Sequence, residues 1–459
     1  MFSELSTRLK AEVNKVTDGA EVGVFLPRCV IHNPNTGFKF TPRYLVALDI
    51  VQNFAESYMD ATQVVIRINP SEYKDIVDNS CDLECTITLT PVNERTGSQI
   101  LTQKPIILKG SVVLKDQQDL SKMVGANAIP NNSDKPDTSD TPGKNEFTSD
   151  FTFHLIDKSS YALRHTQVNS ILTAVTIEQV LHWVAQQMSI ETIKIVPPDN
   201  TQSYDNFVIP VMDISTVFNF IQNRYGIYSK GMSYYFTNNT LYIYPQFDTD
   251  SNNSTESGIL RLISVPENWL AGNDHYHLTV DNDLWVVSNT KKKMISLGSV
   301  GEENTGNVHV SANTDNQRDK SVIINTDGTV TRDSSNLSVI QSSNKKSSVN
   351  SKSQNFKYVG QRSNIYQSTS EMAANNGSML GCGWMQALPK SIPPGQVVSY
   401  QYDDADQKFT SQKGRVQRVE YISTTQPHAT DGVFWMTFNA KLTVFLDPDK
   451  STDDIVSYA

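Results

Sequence analysis

Thr176-Ile-Glu-Gln-Val-Leu-His-Trp-Val-Ala-Gln-Gln-Met188 and Asp213-Ile-Ser-Thr-Val-Phe-Asn-Phe-Ile-Gln-Asn-Arg-Tyr-Gly226 are two helices written into one short block. In the first, Thr176 stands where an N-cap oxygen is needed, and Gln179 three residues on completes a capping-box pattern. Ile177, Val180, Leu181, Val184 and Met188 then recur at helical spacing and make one apolar stripe. Glu178 suits the partial positive charge of a helix N-terminus. In the second, Asp213 is the expected N-cap. Ile214, Val217, Phe218, Ile221 and Tyr225 repeat the stripe, and Gly226 fits the position just past a helix end. Pro197-Pro198-Asp199-Asn200 reads as a turn between them. Downstream, Tyr234-Tyr235-Phe236 and Leu241-Tyr242-Ile243-Tyr244-Pro245 flank Asn238-Asn239, a hairpin signal. Upstream, Phe151, Phe153 and Leu155 alternate with polar residues, which predicts a strand over 147–156. Residues 147–250 therefore read as a small α+β domain with two amphipathic helices and a hairpin.

Outward from this block the chain turns to β-structure. In residues 1–115, Glu21–Leu26, Tyr44–Leu48, Gln63–Ile68 and Leu83–Thr90 are short β-branched runs bounded by Gly, Pro, Asn or Asp. Thr86, Thr88 and Thr90 alternate with Ile87 and Leu89, so one face can be buried and the other wet. Residues 116–146 hold almost nothing to bury and read as a polar linker or loop. Residues 251–298 are β-rich, with strands expected at His275–Val280 and Leu284–Val287. Residues 299–355 are a polar low-complexity loop, with one short hairpin expected around Asp327-Gly328. Residues 356–459 return to β-structure, with strands expected at Arg415–Ile422 and Phe434–Phe445. The fold class is α+β, predominantly β. No repeat of solenoid period is present.

Composition narrows the function classes. The chain has 459 residues and a net charge of −10, with 38% hydrophobic and 19% charged residues. Ser, Thr, Asn and Gln make up most of the remainder, which favours strands and hydrogen-bonded loops over helical bundles. No apolar run is long enough for a transmembrane helix, so no membrane anchor is expected. Met1–Val16 has no apolar core of the kind a secretory signal carries. Four cysteines are too few for a disulfide framework. A pI near 5.3 argues against a general nucleic-acid binder, which would normally show a basic stripe, and no sequence-specific nucleic-acid partner is expected. Lys291-Lys292-Lys293 is the one compact basic run and reads as a solvated loop.

Candidate chemistry is sparse. Cys81 and Cys85 lie four apart without a second ligand pair, so strand cysteines outweigh a zinc site. His275 and His277 share a strand face beside Asp274, but no third metal ligand is identifiable. His182 falls beside the first helical stripe and reads as a core-edge residue. Gly381-Cys382-Gly383-Trp384 reads as a tight turn with a packed Trp rather than a nucleophilic cysteine. Asp403-Asp404-Ala405-Asp406 lacks calcium-loop spacing and reads as a turn before a strand. No phosphate-loop, dinucleotide, zincin or nucleophile-elbow motif occurs. No cofactor, metal or catalytic residue is expected, and the chain is read as no enzyme. The densest side-chain cluster is aromatic: Tyr225, Tyr228, Tyr234, Tyr235, Tyr242 and Tyr244, with Phe236. It is a candidate core and interface, since Tyr suits surfaces apolar at one end and wet at the other.

Phe153-His-Leu-Ile-Asp-Lys-Ser-Ser-Tyr-Ala-Leu-Arg164, the Thr176 helix and Val208–Tyr228, in that order, resemble the baseplate hub proteins of contractile-tailed bacteriophages. These are similar to the hub part of type VI secretion spike proteins. The resemblance is strongest over roughly residues 147–248. It implies two tube-like β-barrel domains per chain, from 1–115 and 356–459, with the α+β block inserted between them. It further implies a homotrimer whose six barrels adapt a six-fold tail tube to a three-fold central spike. The implied partners are the tail tube protein, the central spike protein and other baseplate proteins, with DNA passing through the channel. The implied location is the virion baseplate, assembled in the host cytoplasm. Two other readings fit the composition: a peripheral baseplate or tail fibre adaptor, and a glycan-binding or peptidoglycan-cleaving tail protein.

Overall fold

The computed structural model describes residues 5–18, 23–114, 148–157, 166–266, 276–288, 293–296, 377–427 and 434–451, apart from scattered positions within these spans. It also describes short strands at 309–311, 321–324 and 330–333 and a few further single positions. The linker reading of 116–146 lies outside the described residues, as do His275, Lys291, Lys292 and most of 299–355. Within the latter, Ser321–Ile324 pairs antiparallel with Val330–Asp333, on either side of the expected Asp327-Gly328 turn.

Two strands organise everything else. Phe409–Pro427 and Phe434–Ser451 form one long antiparallel hairpin. Along its length the outer neighbours change. Near its tip, Arg418–Tyr421 pairs with Tyr44–Asn53, and Met436–Thr437 pairs with Val24–His32. Nearer its base, Phe409–Arg415 pairs with Val397–Asp403, and Ala440–Leu446 pairs with Ser378–Trp384. A register shift between Val416 and Arg418 lies where the first of these strands passes from one set of neighbours to the other. A bulge there bends and twists the strand, which lets it serve two curved sheets.

Around the tip half, the ring runs Tyr44–Asn53, Ala61–Ile68, Ser149–Ile156, Ile106–Leu114, Glu84–Pro91 and Val24–His32. Both hairpin strands close it into an eight-stranded barrel. Alternation decides its inside: Cys85, Ile87 and Leu89 are buried while Thr86, Thr88 and Thr90 are only partly covered. Leu48, Val64, Ile66, Ile87 and Phe153 fill the interior, as expected for a barrel of this size. The strand Ser149–Ile156 belongs to this barrel, hydrogen-bonded between Ala61–Ile68 and Ile106–Leu114.

Around the base half, Leu260–Ser264, Asp283–Ser288, Tyr276–Val280 and Val397–Asp403 line one side, and Ser378–Trp384 with Lys293–Ser296 the other. Leu260–Ser264 pairs in parallel with both Asp283–Ser288 and Val397–Asp403. The two sides meet where Ser288 Oγ donates to the Gly383 carbonyl at 2.7 Å. This is the second barrel, and it is open: among the described residues its edge strands Tyr276–Val280 and Lys293–Ser296 do not pair with each other. Gly381–Trp384 is therefore part of a strand, not the expected tight turn. Gly383 permits close strand approach: a Cβ there would stand 2.6 Å from the Ala440 carbonyl oxygen.

Helix α1 (Thr7–Asp18) packs on the second barrel. Leu9, Val13 and Val16 bury against Ile263, Trp285, Val287 and Phe409. Its start is fixed by Asp403, whose carboxylate accepts from the Ser6 N–H and hydroxyl, both at 2.7 Å. Helix α2 (Pro70–Asp78) plugs the first barrel with Tyr73 and Ile76. Asn69 accepts from Glu72 N, and Glu72 accepts back from Asn69 N, a reciprocal cap.

The insert contains a two-stranded ribbon (Gln167–Thr176 with Ser203–Asp213), α3 (Ile177–Gln187) and α4 (Ile214–Arg224). A three-stranded sheet of Met232–Thr237, Thr240–Pro245 and Thr192–Ile195 completes it. Thr176 and Gln179 make the expected capping box on α3. Asp213 occupies the N-cap of α4, but its side chain accepts no cap hydrogen bond and instead accepts from Gln167 Nε2 at 3.3 Å. Gly226 takes φ +82 just past α4, and its N–H and that of Tyr225 both donate to the Ile221 carbonyl. Asn238 and Asn239 both have positive φ, the turn a two-residue hairpin prefers.

Removing the Thr176 hydroxyl should show the difference between the two caps. Thr176→Ala is expected to cost about 1 kcal/mol, and Asp213→Ala clearly less. Chemical denaturation of the two variants beside the parent measures both.

Candidate functional site

The aromatic cluster resolves into layers. Tyr228, Tyr235, Tyr242 and Tyr244 are buried, while Tyr225 and Tyr234 are partly covered at the margin of the insert's core. Tyr225 stacks on Phe207 with ring centres 3.9 Å apart, and its hydroxyl donates to the Val208 carbonyl at 3.2 Å. Tyr234 lies against Phe218 and faces Tyr58 of the first barrel at 6.3 Å. Its hydroxyl donates to the Ser215 carbonyl. Tyr228 donates to the Val196 carbonyl, and burial pushes its phenol above the usual range. Tyr235 and Tyr244 turn out of the insert towards the barrels.

That outward side is a polar junction. Asp60, buried at the first barrel, accepts from Gln52 Nε2 and Tyr235 OH on Oδ1, both at 2.9 Å. On Oδ2 it accepts from Thr237 Oγ1 at 2.9 Å and from Lys390 Nζ at 2.7 Å. One carboxylate thus ties together the first barrel, the insert's hairpin and the segment after Trp384. Burial alone would raise the Asp60 carboxyl, but the Lys390 charge and these hydrogen bonds hold it below its ordinary value. Burial, reinforced by Asp60, pushes the Tyr235 phenol well up, so it stays a donor. Lys390 reaches Asp60 from a left-handed backbone with φ +58, unusual for a residue with a side chain.

Further contacts follow the same seam. Ser233 Oγ donates to the Phe54 carbonyl, and Phe236 N donates to the Tyr58 carbonyl at 2.8 Å. Phe54 and Tyr235 meet edge to face at 4.8 Å. Gln246 and Gln417 exchange hydrogen bonds of 3.0 and 3.1 Å, attaching the insert to the long hairpin. Fully buried Arg415 lies over the Tyr244 ring at 5.4 Å and donates from Nη2 to the Asn253 carbonyl at 2.9 Å. Burial lowers its pKa. None of Asp60, Lys390, Gln417 or Arg415 was singled out in the sequence, because their partners are far apart along it.

The remaining candidates are scattered. Cys81 is exposed in a turn, not in a strand; Cys85 is buried, its sulfur 3.5 Å from that of Cys29. His182 is exposed on α3 rather than at its core edge. His277 is buried, and desolvation lowers its imidazole to about 4. Lys293 opens a strand. Asp404 caps a turn by accepting from the N–H groups of Asp406 and Lys408 before the next strand. Among the described residues, no three His, Cys, Asp or Glu side chains gather in a way that could hold a metal ion, and no helix is long and apolar enough to cross a membrane.

A family model described as "Bacteriophage PBS1 gene 109 protein" matches residues 30–369. Among solved structures, the chain is similar to the tail protein from Neisseria meningitidis MC58, at 9% identity and a TM-score of 0.46, over 90% of this chain and 96% of that one. It is also similar to the 43 kDa tail protein of prophage MuSo2 from Shewanella oneidensis, at 10% identity and a TM-score of 0.42, over 90% and 96%. A Francisella PdpA–VgrG complex matches at 10% identity and a TM-score of 0.39, over 92% of this chain and 52% of that one. No curated protein matches in sequence.

Two outcomes test the junction and its surroundings. Lys390→Met strands a buried carboxylate and is expected to cost about 3–5 kcal/mol; Lys390→Met combined with Asp60→Asn should recover part of that loss in thermal unfolding. His277 gives a pH signature of known sign. Its folded pKa of about 4 lies below the ordinary 6.5, so its contribution is complete above about 6.5 and is lost as pH falls towards 4. His277→Gln should flatten the stability profile between those values.

Proposed function

The chain belongs to the family of the bacteriophage PBS1 gene 109 protein, and on that premise we propose that it is a structural protein of a phage tail that acts as the baseplate hub. In this reading three copies form a ring on the tail axis. Each copy contributes two barrels, so the ring offers six barrels to a six-fold tube above and three identical faces to a spike below. The work is done by shape and interfaces rather than by a reacting site.

The observation that carries this reading is the shared hairpin. Two barrels built on the same pair of strands cannot drift relative to each other without breaking the ladder between Phe409–Pro427 and Phe434–Ser451. A symmetry adaptor needs that rigidity, because the angle between its two tube-like units must equal the angle between neighbouring tube subunits. Each barrel interior is filled by side chains, such as Leu48 and Phe153 in the first and Leu262, Val286 and Val398 in the second. A channel in the assembly therefore lies between copies and not through a barrel. A chain with a net charge of −10 would not hold the DNA that passes, since phosphate binding depends on Lys and Arg. The insert, keyed by Asp60 to the first barrel, would face neighbouring baseplate proteins.

Sedimentation of the purified chain, alone and with tube and spike proteins, together with imaging of assembled tails, tests the reading. The expected result is a species of three times the chain mass, located on the tail axis. A chain that stays monomeric with those partners and sits at the baseplate rim would overturn it in favour of a peripheral adaptor.

A further inference from the structure

Among the described residues, seven large apolar side chains are exposed, and six of them fall on two surfaces. The first is the outer face of the first barrel across Val24–His32, Glu84–Pro91 and Ile106–Leu114. Leu26 and Ile107 stand there in a field of Thr86, Thr88 and Thr90, with Leu101 (89% exposed) in the adjoining loop. Its exposed charges are mainly basic: Arg28 is in register with Thr88, Lys109 with Thr86, and Lys104 is in the adjoining loop, while half-buried Glu84 at the far end of the Thr86–Thr90 row lies 3.5 Å from His32. The second is the outer face of the insert's ribbon. Ile171 (68% exposed) and Val208 are a cross-strand pair, and Val211 (65%) follows where the register shifts between Ile209 and Met212. The ribbon's other face is committed to the insert's core through Val168, Phe207 and Ile209. The charged residues of the ribbon strands themselves are Asp205 and Asp213, and Glu178 follows in the first turn of α3; all three are acidic and exposed.

A two-stranded ribbon is marginal by itself, and apolar patches rimmed by charge mark interaction sites. Here an apolar surface with a basic rim and another with an acidic rim occur on one chain. We propose that the ribbon face around Ile171 and Val208 docks on the Leu26–Ile107 face of a second copy of this chain. Such a contact joins two different surfaces head to tail, and repetition of one rotation closes it into a ring. The inference rests on the hub reading and deepens it by naming the surfaces that make the ring. The opposed charges set orientation and speed of encounter, and the aliphatic side chains hold the contact once water is expelled.

The experiment uses the full chain, with association measured by sedimentation equilibrium at low and high salt. Arg28→Glu with Lys109→Glu, and separately Asp205→Lys with Glu178→Lys, should each weaken self-association at least about tenfold at low salt. The four substitutions combined should restore it, because the rims are then opposite again. Ile171→Ser with Val208→Ser should weaken association at both salt concentrations. Far-ultraviolet circular dichroism and thermal midpoints identify any variant that misfolds, and recovery in the combined variant keeps the test independent of such losses. Association that survives every variant overturns this interface and leaves the ring reading standing. A parent chain that is monomeric at all concentrations overturns the interface, while location on the tail axis with tube and spike bound would still support the hub.

Discussion

The hydrogen-bonded ladder between Phe409–Pro427 and Phe434–Ser451 is the constraint on which the rest of the chain depends. Every strand of both barrels connects to that ladder directly or through its neighbours. Its buried residues serve two interiors in sequence: Phe438 and Tyr421 towards the first barrel, Leu442 and Val444 towards the second. The bulge at Val416–Arg418 is the price of that arrangement in lost pairing, and the added twist is what it supplies. The N-terminus obeys the same logic. Helix α1 precedes the first barrel in sequence but packs on the second, because Asp403 and Phe409 at the hairpin's base are where its cap and its apolar stripe find partners.

The insert is held by a different kind of force. Its own core is apolar and would be complete around Val184, Phe218 and Tyr228. Its attachment runs mostly through directed polar contacts at Asp60, Ser233, Gln246 and Arg415. Apolar burial fixes how much surface meets, whereas hydrogen bonds to a buried carboxylate fix how it meets, since an unpaired partner left inside is costly. An assembly component needs the second property, because an insert that rocked on its barrel would present a blurred face to its neighbours.

What could be seen in the sequence was local. The capping pair Thr176 and Gln179, the stripe of α4 and the Asn238-Asn239 turn act over a few residues, and all are present. The alternation of Thr86 to Leu89 likewise marked a strand with one wet face. What escaped was set by distant partners or by misleading punctuation. Gly381 and Gly383 resemble turn residues but lie in a paired strand, and Gly383 admits its neighbour's backbone. The hairpin carries buried Gln412, Arg415 and Gln417, whose hydrogen-bond partners Asp447, Asn253 and Gln246 lie far from them in sequence. Helices α1 and α2 were hidden inside a region dominated by strand runs, although Asn69, Pro70 and Glu72 spell a helix start. Asp60 and Lys390 lie 330 positions apart in the sequence, and nothing local to either names the other.

The sharing of strands also limits how the gene can vary in length. In most β-proteins a one-residue deletion within a strand inverts the inside and outside of a single sheet. In this hairpin the same deletion, placed between the two barrels, would leave one interior intact and turn the other inside out. Length changes are therefore confined to the bulge, where an unpaired residue already absorbs a mismatch, or to the connections outside the ladder. The central strands can diverge in letters while their spacing stays frozen.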